Sequence, residues 1–512
     1  MSNDEFNIAR ARPSRHDMAM GERVAVARSE RIWFWTLLAV AIALRAIQFD
    51  PYAMHHPDEV LQYLEPAYRL VSGEGIVTWE YRYGMRGWLF PWLLAGPMAL
   101  GQAIGGSAFA GIVAARIAAA AVGLIPVIAA WHLGRRVSAT HGIVAMAVMA
   151  VWFEQIVFST HVLTETMATS LFLGAAALID PKAGRSRVML GGGMLALAGL
   201  LRFHYGLAVV VFLLLALGTD WKRWAWVILG GLPVVVLSGA VDLMMGQWPF
   251  EWVWVNIQQN VIAGRASAFG VEPAEFYVTT LWSIWGFLAI PILIFAVEAG
   301  KSYRPILFAA VINFAAHGLI PHKEYRFIEL SIAAILLLAA IGSVNVWRSI
   351  ERRQGKLLPA LPTLVAIILA WAAASAWLGR DRPLDQWFGE RGSGQELAYI
   401  AGRDPRVCAV ATMTFEFWQL SRAYLGRPMP IYLLDQVKRP RANLTPLGPE
   451  QTSFNAVVAP RPAAAILPGY DRVKCKGPEP FSRCLYIRPG SCTPTPGASA
   501  KEIQKVMLAH DL

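Results

Sequence analysis

Residues 88–106 of the chain read "WLFPWLLAGPMALGQAIGG". The stretch is apolar and has the roughly 20 residues needed to cross a bilayer, but Pro91, Pro97 and several glycines weaken a continuous helix. Whether it crosses sets the side on which every later loop emerges. Basic residues collect at Arg135 and Arg136, at Lys182, Arg185 and Arg187, at Lys222 and Arg223, at Lys301 and Arg304, and at Arg348, Arg352 and Arg353. Such links mark the cytoplasmic side. Two full spans at 88–107 and 110–133 would carry Arg135 and Arg136 to the opposite side. The charge rule is restored if 88–104 is a juxtamembrane or re-entrant segment. The regions around His161 and Arg202, the segment 242–277 and "HKEYR" (322–326) then face outside.

The 512 residues are 56% hydrophobic and 16% charged, too apolar for a soluble protein of this length. Apolar runs recur from Ile32 to Leu378. Residues 32–378 therefore read as a polytopic α-helical bundle of about eleven spans, with outer loops at 50–109 and 244–276. The runs 188–201 and 206–218 are short for spans. Residues 1–31 read as a disordered cytoplasmic tail with no signal-peptide cleavage site after it. The inward links account for the net charge of +11, so the bilayer is the expected partner and nucleic acid is not.

Residues 379–512 change character. "RVCAVATMT", "PMPIYLLD", "FNAVVAP" and "CLYIRPG" read as short strands, with a helix at "FEFWQLSRAYLG", giving a small extracytoplasmic α/β domain. All four cysteines (Cys408, Cys475, Cys484, Cys492) lie there, which fits an oxidising compartment. Cys475 and Cys484 flank a turn-rich loop that a disulfide could close, one of three pairings that four cysteines allow.

Three polar clusters fall on the outer face. The first is "HHPDEVLQYLEPAYRLVSGEG" (55–75) followed by "TWEYRYGMRG" (78–87). Two adjacent carboxylates, Asp58 and Glu59, at the mouth of the first span are costly to desolvate. A helix N-cap would need only one of them. Glu65, Trp79, Glu80 and Arg86 add the mix of carboxylates and aromatic faces that suits a sugar, although aromatics at a membrane surface are ordinarily interfacial anchors. The second, "HGLIPHKEYRFIEL" (317–330), concentrates His322, Lys323 and Arg326, donors suited to a phosphate; a lipid headgroup or an ion pair with Glu324 is the plainer alternative. The third, 242–277, offers Asp242 and Asn256 among tryptophans. Arg116, Glu165 and Arg202 need partners inside the bundle. These are the parts for sugar transfer from a lipid phosphate: a carboxylate to take the proton of the attacking hydroxyl, and cations to stabilise the departing phosphate.

The H-P-D-E, E-P, G-x-G-x-x-T-W-E-Y and R-G-W-L-F-P blocks between His56 and Pro91, with "HKEYRF" (322–327), resemble the GT-C superfamily mannosyltransferases of glycosyltransferase family 22. Those include the ER enzymes that extend GPI-anchor and N-glycan precursors. The likeness covers roughly 32–345. It implies an inverting transfer of a hexose, most often mannose, from a polyprenyl-phosphate donor to a glycolipid or glycan acceptor at the outer face. It implies Asp58 as base with Glu59 supporting it or meeting the acceptor, His322, Lys323 and Arg326 near the donor phosphate, and juxtamembrane helices in the first outer loop. Glu65, Trp79, Glu80, Arg86, Arg202, Asp242 and Asn256 are the expected substrate contacts. Gly87 departs from the Ser of many relatives, and 380–512 matches no eukaryotic member. The Ala- and Arg-rich composition looks bacterial, which points to an inner membrane and a shorter polyprenyl chain.

Rival readings are a transporter or flippase of lipid-linked sugars, a GT-C enzyme using another sugar or a protein acceptor, and a non-catalytic subunit. A transporter would place charge near the midplane within internal repeats, and here it gathers at one face. The Asp58–Glu59 pair could hold Mg²⁺ or Mn²⁺, but no His-rich set accompanies it, so metal-independent catalysis is expected.

Overall fold

A computed structural model describes residues 15–355, 360–381, 393–413, 420–434, 447–477 and 482–510. The first helix, Arg15–Gln48, already begins within the stretch expected to be a disordered tail; residues 1–14 lie outside the described ones. Near its far end Arg45 is buried and donates to the carbonyls of Met149, Ala150 and Gln155. It thereby ties the helix to Ala139–Val151 and Phe153–Ser159, which meet at a 61° bend.

The core is built round Glu329–Gln354, buried on all sides from Glu329 to Val344. Gly342 permits this packing: a Cβ there would lie 1.7 Å from the carbonyl oxygen of Phe295, so only glycine lets the two backbones touch. Among the described residues five helices are long and apolar enough to span a membrane, or six if the bent pair counts as one, against about eleven expected from hydropathy. The difference lies in helices such as Thr164–Leu178, Arg185–Leu201 and Arg304–Gly318, whose apolar runs are cut short by polar turns.

The deciding stretch forms Leu89–Gly105, 17 residues with Pro97 inside, shorter than the crossing helices. It ends at Gly106, which has φ 62°. Ser107 then caps Ala108–Val122 by accepting from the Ala110 N–H. The two helices fold back as a hairpin so tight that a Cβ on Gly101 would meet Ala114 at 2.5 Å. Ala108–Arg135 is the long apolar helix that follows.

The C-terminal region holds β1 (Val410–Thr412), β2 (Ile431–Leu433), β3 (Ala456–Pro460), β4 (Asp471–Lys476) and β5 (Arg483–Ile487). They form one sheet in the order β2-β1-β3-β5-β4. β1 runs parallel to β2 and β3; β5 is antiparallel to β3 and β4. Strand β4, "DRVKCK", was not among the expected strands, because it is an exposed edge with no apolar alternation. Its Lys474 and Lys476 both pair with Glu396 at 2.7 Å, and charge on an edge discourages further strand pairing. Cys475 and Cys484 face each other across β4 and β5 and are bonded, and Cys408 bonds Cys492. Of the helix expected at 415–426, residues 415–419 lie outside the described ones, and Arg422–Leu425 is helical.

Candidate active site

Pro57 directs the chain into a six-residue π-helix, Glu59–Leu64, which runs on into Glu65–Ser72. Wide turns of this kind are rare and concentrate at functional sites. Asp58 stands at the start and makes no cap with its side chain. Its Oδ2 instead accepts from Arg326 at 2.6 Å, while Oδ1 lies 3.3 Å from His56. Arg326 is aimed there by the tight 3-10 turn Tyr325–Ile328, 268 residues away in sequence. The same guanidinium meets Glu324 at 2.6 Å and Glu165 at 3.3 Å, and Glu165 also pairs with Arg202 at 3.3 Å. The first and second sequence clusters are thus one network.

The two adjacent carboxylates differ sharply. The Asp58 side chain is 17% exposed and that of Glu59 is 0%, so only Asp58 can meet a hydroxyl from outside. Glu59 accepts from the N–H groups of His55, His56 and Val162, contacts His161 at 3.0 Å and faces Arg116 at 3.9 Å. It anchors the loop, which removes the expectation that it contacts an acceptor. Burial alone would raise both acids. His56 and Arg326 outweigh it for Asp58, and His161 with Arg116 for Glu59, holding both well below the ordinary carboxylate range. Asp58 is ionised, the state a base requires, and is masked by Arg326.

Beside this pair lies a narrow cleft lined by Tyr63, Arg86, Thr164, Arg202, Trp252 and Asn256, among others. Asp58 is not part of its wall. Tyr63 and Thr164 share a hydrogen bond of 3.0 Å, Thr164 donates to Glu165 at 3.1 Å, and Glu165 leads to Arg326. Arg86 Nε and Arg202 Nε are shut off from solvent and have no hydrogen-bond partner among the described residues. Arg202 already meets Glu165 through Nη1 and Arg86 has Glu80 and Asp58 as charged neighbours, so the open Nε donors are what remains for an incoming anion.

Other expected substrate contacts are spent on the protein itself. Glu65 is fully enclosed and accepts from the Ser421 hydroxyl and from the N–H groups of Ala423 and Ile76. Asp242 accepts from the Phe250 N–H at 3.0 Å, holding the turn in which Phe250 has φ 63°. The Trp79 ring is covered by Phe269, stacked at 6.3 Å, with Arg265 5.8 Å from its centre, so it is not free to stack on a sugar. Glu80 accepts from Gln62 at 2.7 Å, and Asn256 donates weakly to the Met85 carbonyl at 3.4 Å. Lys323 donates to the Glu272 carbonyl at 2.9 Å; His322 contacts the Gly270 carbonyl at 3.1 Å and Glu324 at 3.0 Å. These two fasten the second outer loop. Tyr63 and Thr164 were not anticipated, and Trp252 was read as one of the interfacial tryptophans of the third cluster; the polar run "HVLTET" inside an apolar stretch was the available signal for Thr164. Asp58 is committed to cations and Glu59 is enclosed, and among the described residues no three His, Cys, Asp or Glu groups converge as metal ligands. The pair therefore does not fit Mg²⁺ or Mn²⁺.

Residues 32–378 match the Alg9-like mannosyltransferase family. The chain belongs to that family. The GPI alpha-1,2-mannosyltransferase 3 of Xenopus laevis is 25% identical over 303 residues, which are 57% of this chain and 56% of that protein. The Dol-P-Man:Man(7)GlcNAc(2)-PP-Dol alpha-1,6-mannosyltransferase of Saccharomyces cerevisiae is 30% identical over 134 residues, 23% of each. The chain thus spans about half, or less, of these family members. The fold is also that of ArnT from Cupriavidus metallidurans, solved bound to undecaprenyl phosphate, with a TM-score of 0.56 at 15% identity, covering 90% of this chain and 99% of that one. That likeness takes in the C-terminal region as well as the helices.

Proposed function

We propose that the protein is a multi-pass membrane glycosyltransferase that moves mannose from a polyprenyl-phosphate donor to a glycolipid or glycan acceptor, with inversion, at the outer face of a bacterial inner membrane. One observation carries the reading: a partly open carboxylate, Asp58, which Arg326 holds together with the partly open Glu324, beside a cleft whose Arg86 and Arg202 each keep an unfilled Nε donor. Asp58 takes the proton of the acceptor hydroxyl as that oxygen attacks the anomeric carbon. The phosphate departs from the opposite side of that carbon and gathers charge. Arg86 and Arg202 meet it in the cleft. Arg326 connects the two ends: contact with the phosphate weakens its hold on Asp58 and restores that carboxylate's basicity as the donor arrives. His322 and Lys323 keep the second outer loop in place around the donor and carry positive charge near it.

Incubating the purified full chain with radiolabelled polyprenyl-phosphate mannose and a membrane extract tests this. Label should pass to a new lipid- or glycan-linked product. Label that crosses sealed vesicles with its donor chemically unchanged would favour the transporter reading instead.

A further inference from the structure

The C-terminal region lies outside the matched residues 32–378, yet it grips the limb of the first outer loop that carries Glu80 and Arg86. Gln504, on the helix Ile503–His510, pairs with the backbone of Val77 in both directions. Its Oε1 accepts from the Val77 N–H at 2.9 Å, and its Nε2 donates to the Val77 carbonyl at 2.9 Å. Nearby, Arg422 bridges Glu74 at 2.9 Å and Glu502 at 2.8 Å, and Arg82 donates to the Met507 carbonyl at 3.0 Å.

Between these grips lies Trp79–Arg82, a helix of four residues. So short a helix does not hold itself together in water, so its position depends on what fastens its ends. One end is Val77. At the other, the Met85 N–H donates to the Glu80 carbonyl at 2.7 Å, and the Met85 carbonyl is within reach of Asn256. Arg86 follows directly.

We infer that the C-terminal region is a working part of the active site and that Gln504 is a positioning residue, setting Arg86 against the cleft through Val77. This rests on the proposed reading of that cleft. In the full chain, Gln504→Ala should lower kcat/KM on the order of tenfold, since two hydrogen bonds are lost, with the unfolding midpoint retained. Gln504→Glu keeps the acceptor and loses the donor, so it should fall between Gln504→Ala and wild type. On an Arg86→Ala background the further loss from Gln504→Ala should shrink to less than about twofold, because the positioned group is already gone. Amide hydrogen exchange of both variants supplies a readout that needs no turnover: 74–82 should exchange faster while the rest of the protein keeps its rates. Unchanged exchange at 74–82 would overturn the inference, as would wild-type kcat/KM in Gln504→Ala. If the wild type itself transfers no sugar, the function reading fails alone, and the exchange result still decides the clamp.

Discussion

The two outer loops look alike in sequence, each rich in aromatics, and the fold uses them differently. In the first, Tyr63, Tyr68, Trp79, Tyr81 and Trp88 are all buried. In the second, Trp248, Trp254 and Phe269 are 74%, 57% and 62% exposed. The first loop encloses carboxylates and arginines, and aromatic walls strengthen every charge interaction inside by excluding water. The second presents most of its rings outward, sends only Trp252 of its tryptophans into the cleft wall, and is fastened at its rim by His322 and Lys323. Aromatic content alone therefore does not locate a sugar site. What separates the loops is whether buried charge lies behind the rings.

Substitutions can break or sharpen that contrast. Arg86→Ala should lower kcat/KM for the lipid donor about 10- to 100-fold, the range for a lost charged hydrogen bond, and lower the unfolding midpoint only modestly, by the charge that the enclosed Glu80 loses opposite it. A collapse of stability with no change in donor dependence would make Arg86 a structural residue of the loop. Arg326 is a poorer probe: removing a buried partner of several carboxylates destabilises by about 3–5 kcal/mol, so lost activity would not separate chemistry from folding.

At the rim the expected effect is smaller and depends on pH. The hydrogen bond from His322 to Glu324 leads the influences that raise the imidazole pKa above its ordinary value. The doubly protonated ring can donate to both the Gly270 carbonyl and Glu324, and that form prevails at low pH and is lost as pH rises through the raised pKa. Donor kcat/KM should fall by a few-fold on the alkaline side with an apparent pKa above about 6.5. His322→Gln should flatten that limb, and an identical profile would detach His322 from donor use. Smallest of all, Trp248→Ala combined with Trp254→Ala should change turnover in detergent by no more than about twofold, as exposed substitutions away from a site usually do. A larger loss would bring the second loop into the chemistry and dissolve the contrast.

Much of this was legible in the chain. Charge parity set 88–104 apart from the spans, and the helix there is short, holds Pro97 within it and folds back on its neighbour. The resemblance blocks brought Asp58 and Arg326 together although they lie far apart in sequence. Glu65 and Asp242 are engaged within the protein, which their sequence setting does not reveal. A loop carboxylate looks the same whether its donors belong to a substrate or to the protein, and the Ser421 that occupies Glu65 lies 356 residues away. The Gly87 departure also has a cause that only packing reveals: a Cβ there would lie 2.8 Å from the Trp252 ring, in the wall of the cleft. Arg86 was among the expected substrate contacts, but its place in the cleft wall with an open Nε donor is something spacing cannot show.

The most direct measurement compares Asp58→Asn with wild type for donor binding and for sugar transfer in the same preparation. Loss of the general base should cost about 10²- to 10⁴-fold in turnover, while the lipid donor still binds within a few-fold of wild type. Turnover at the wild-type rate in a variant that binds donor normally would contradict the assignment of Asp58 as the base.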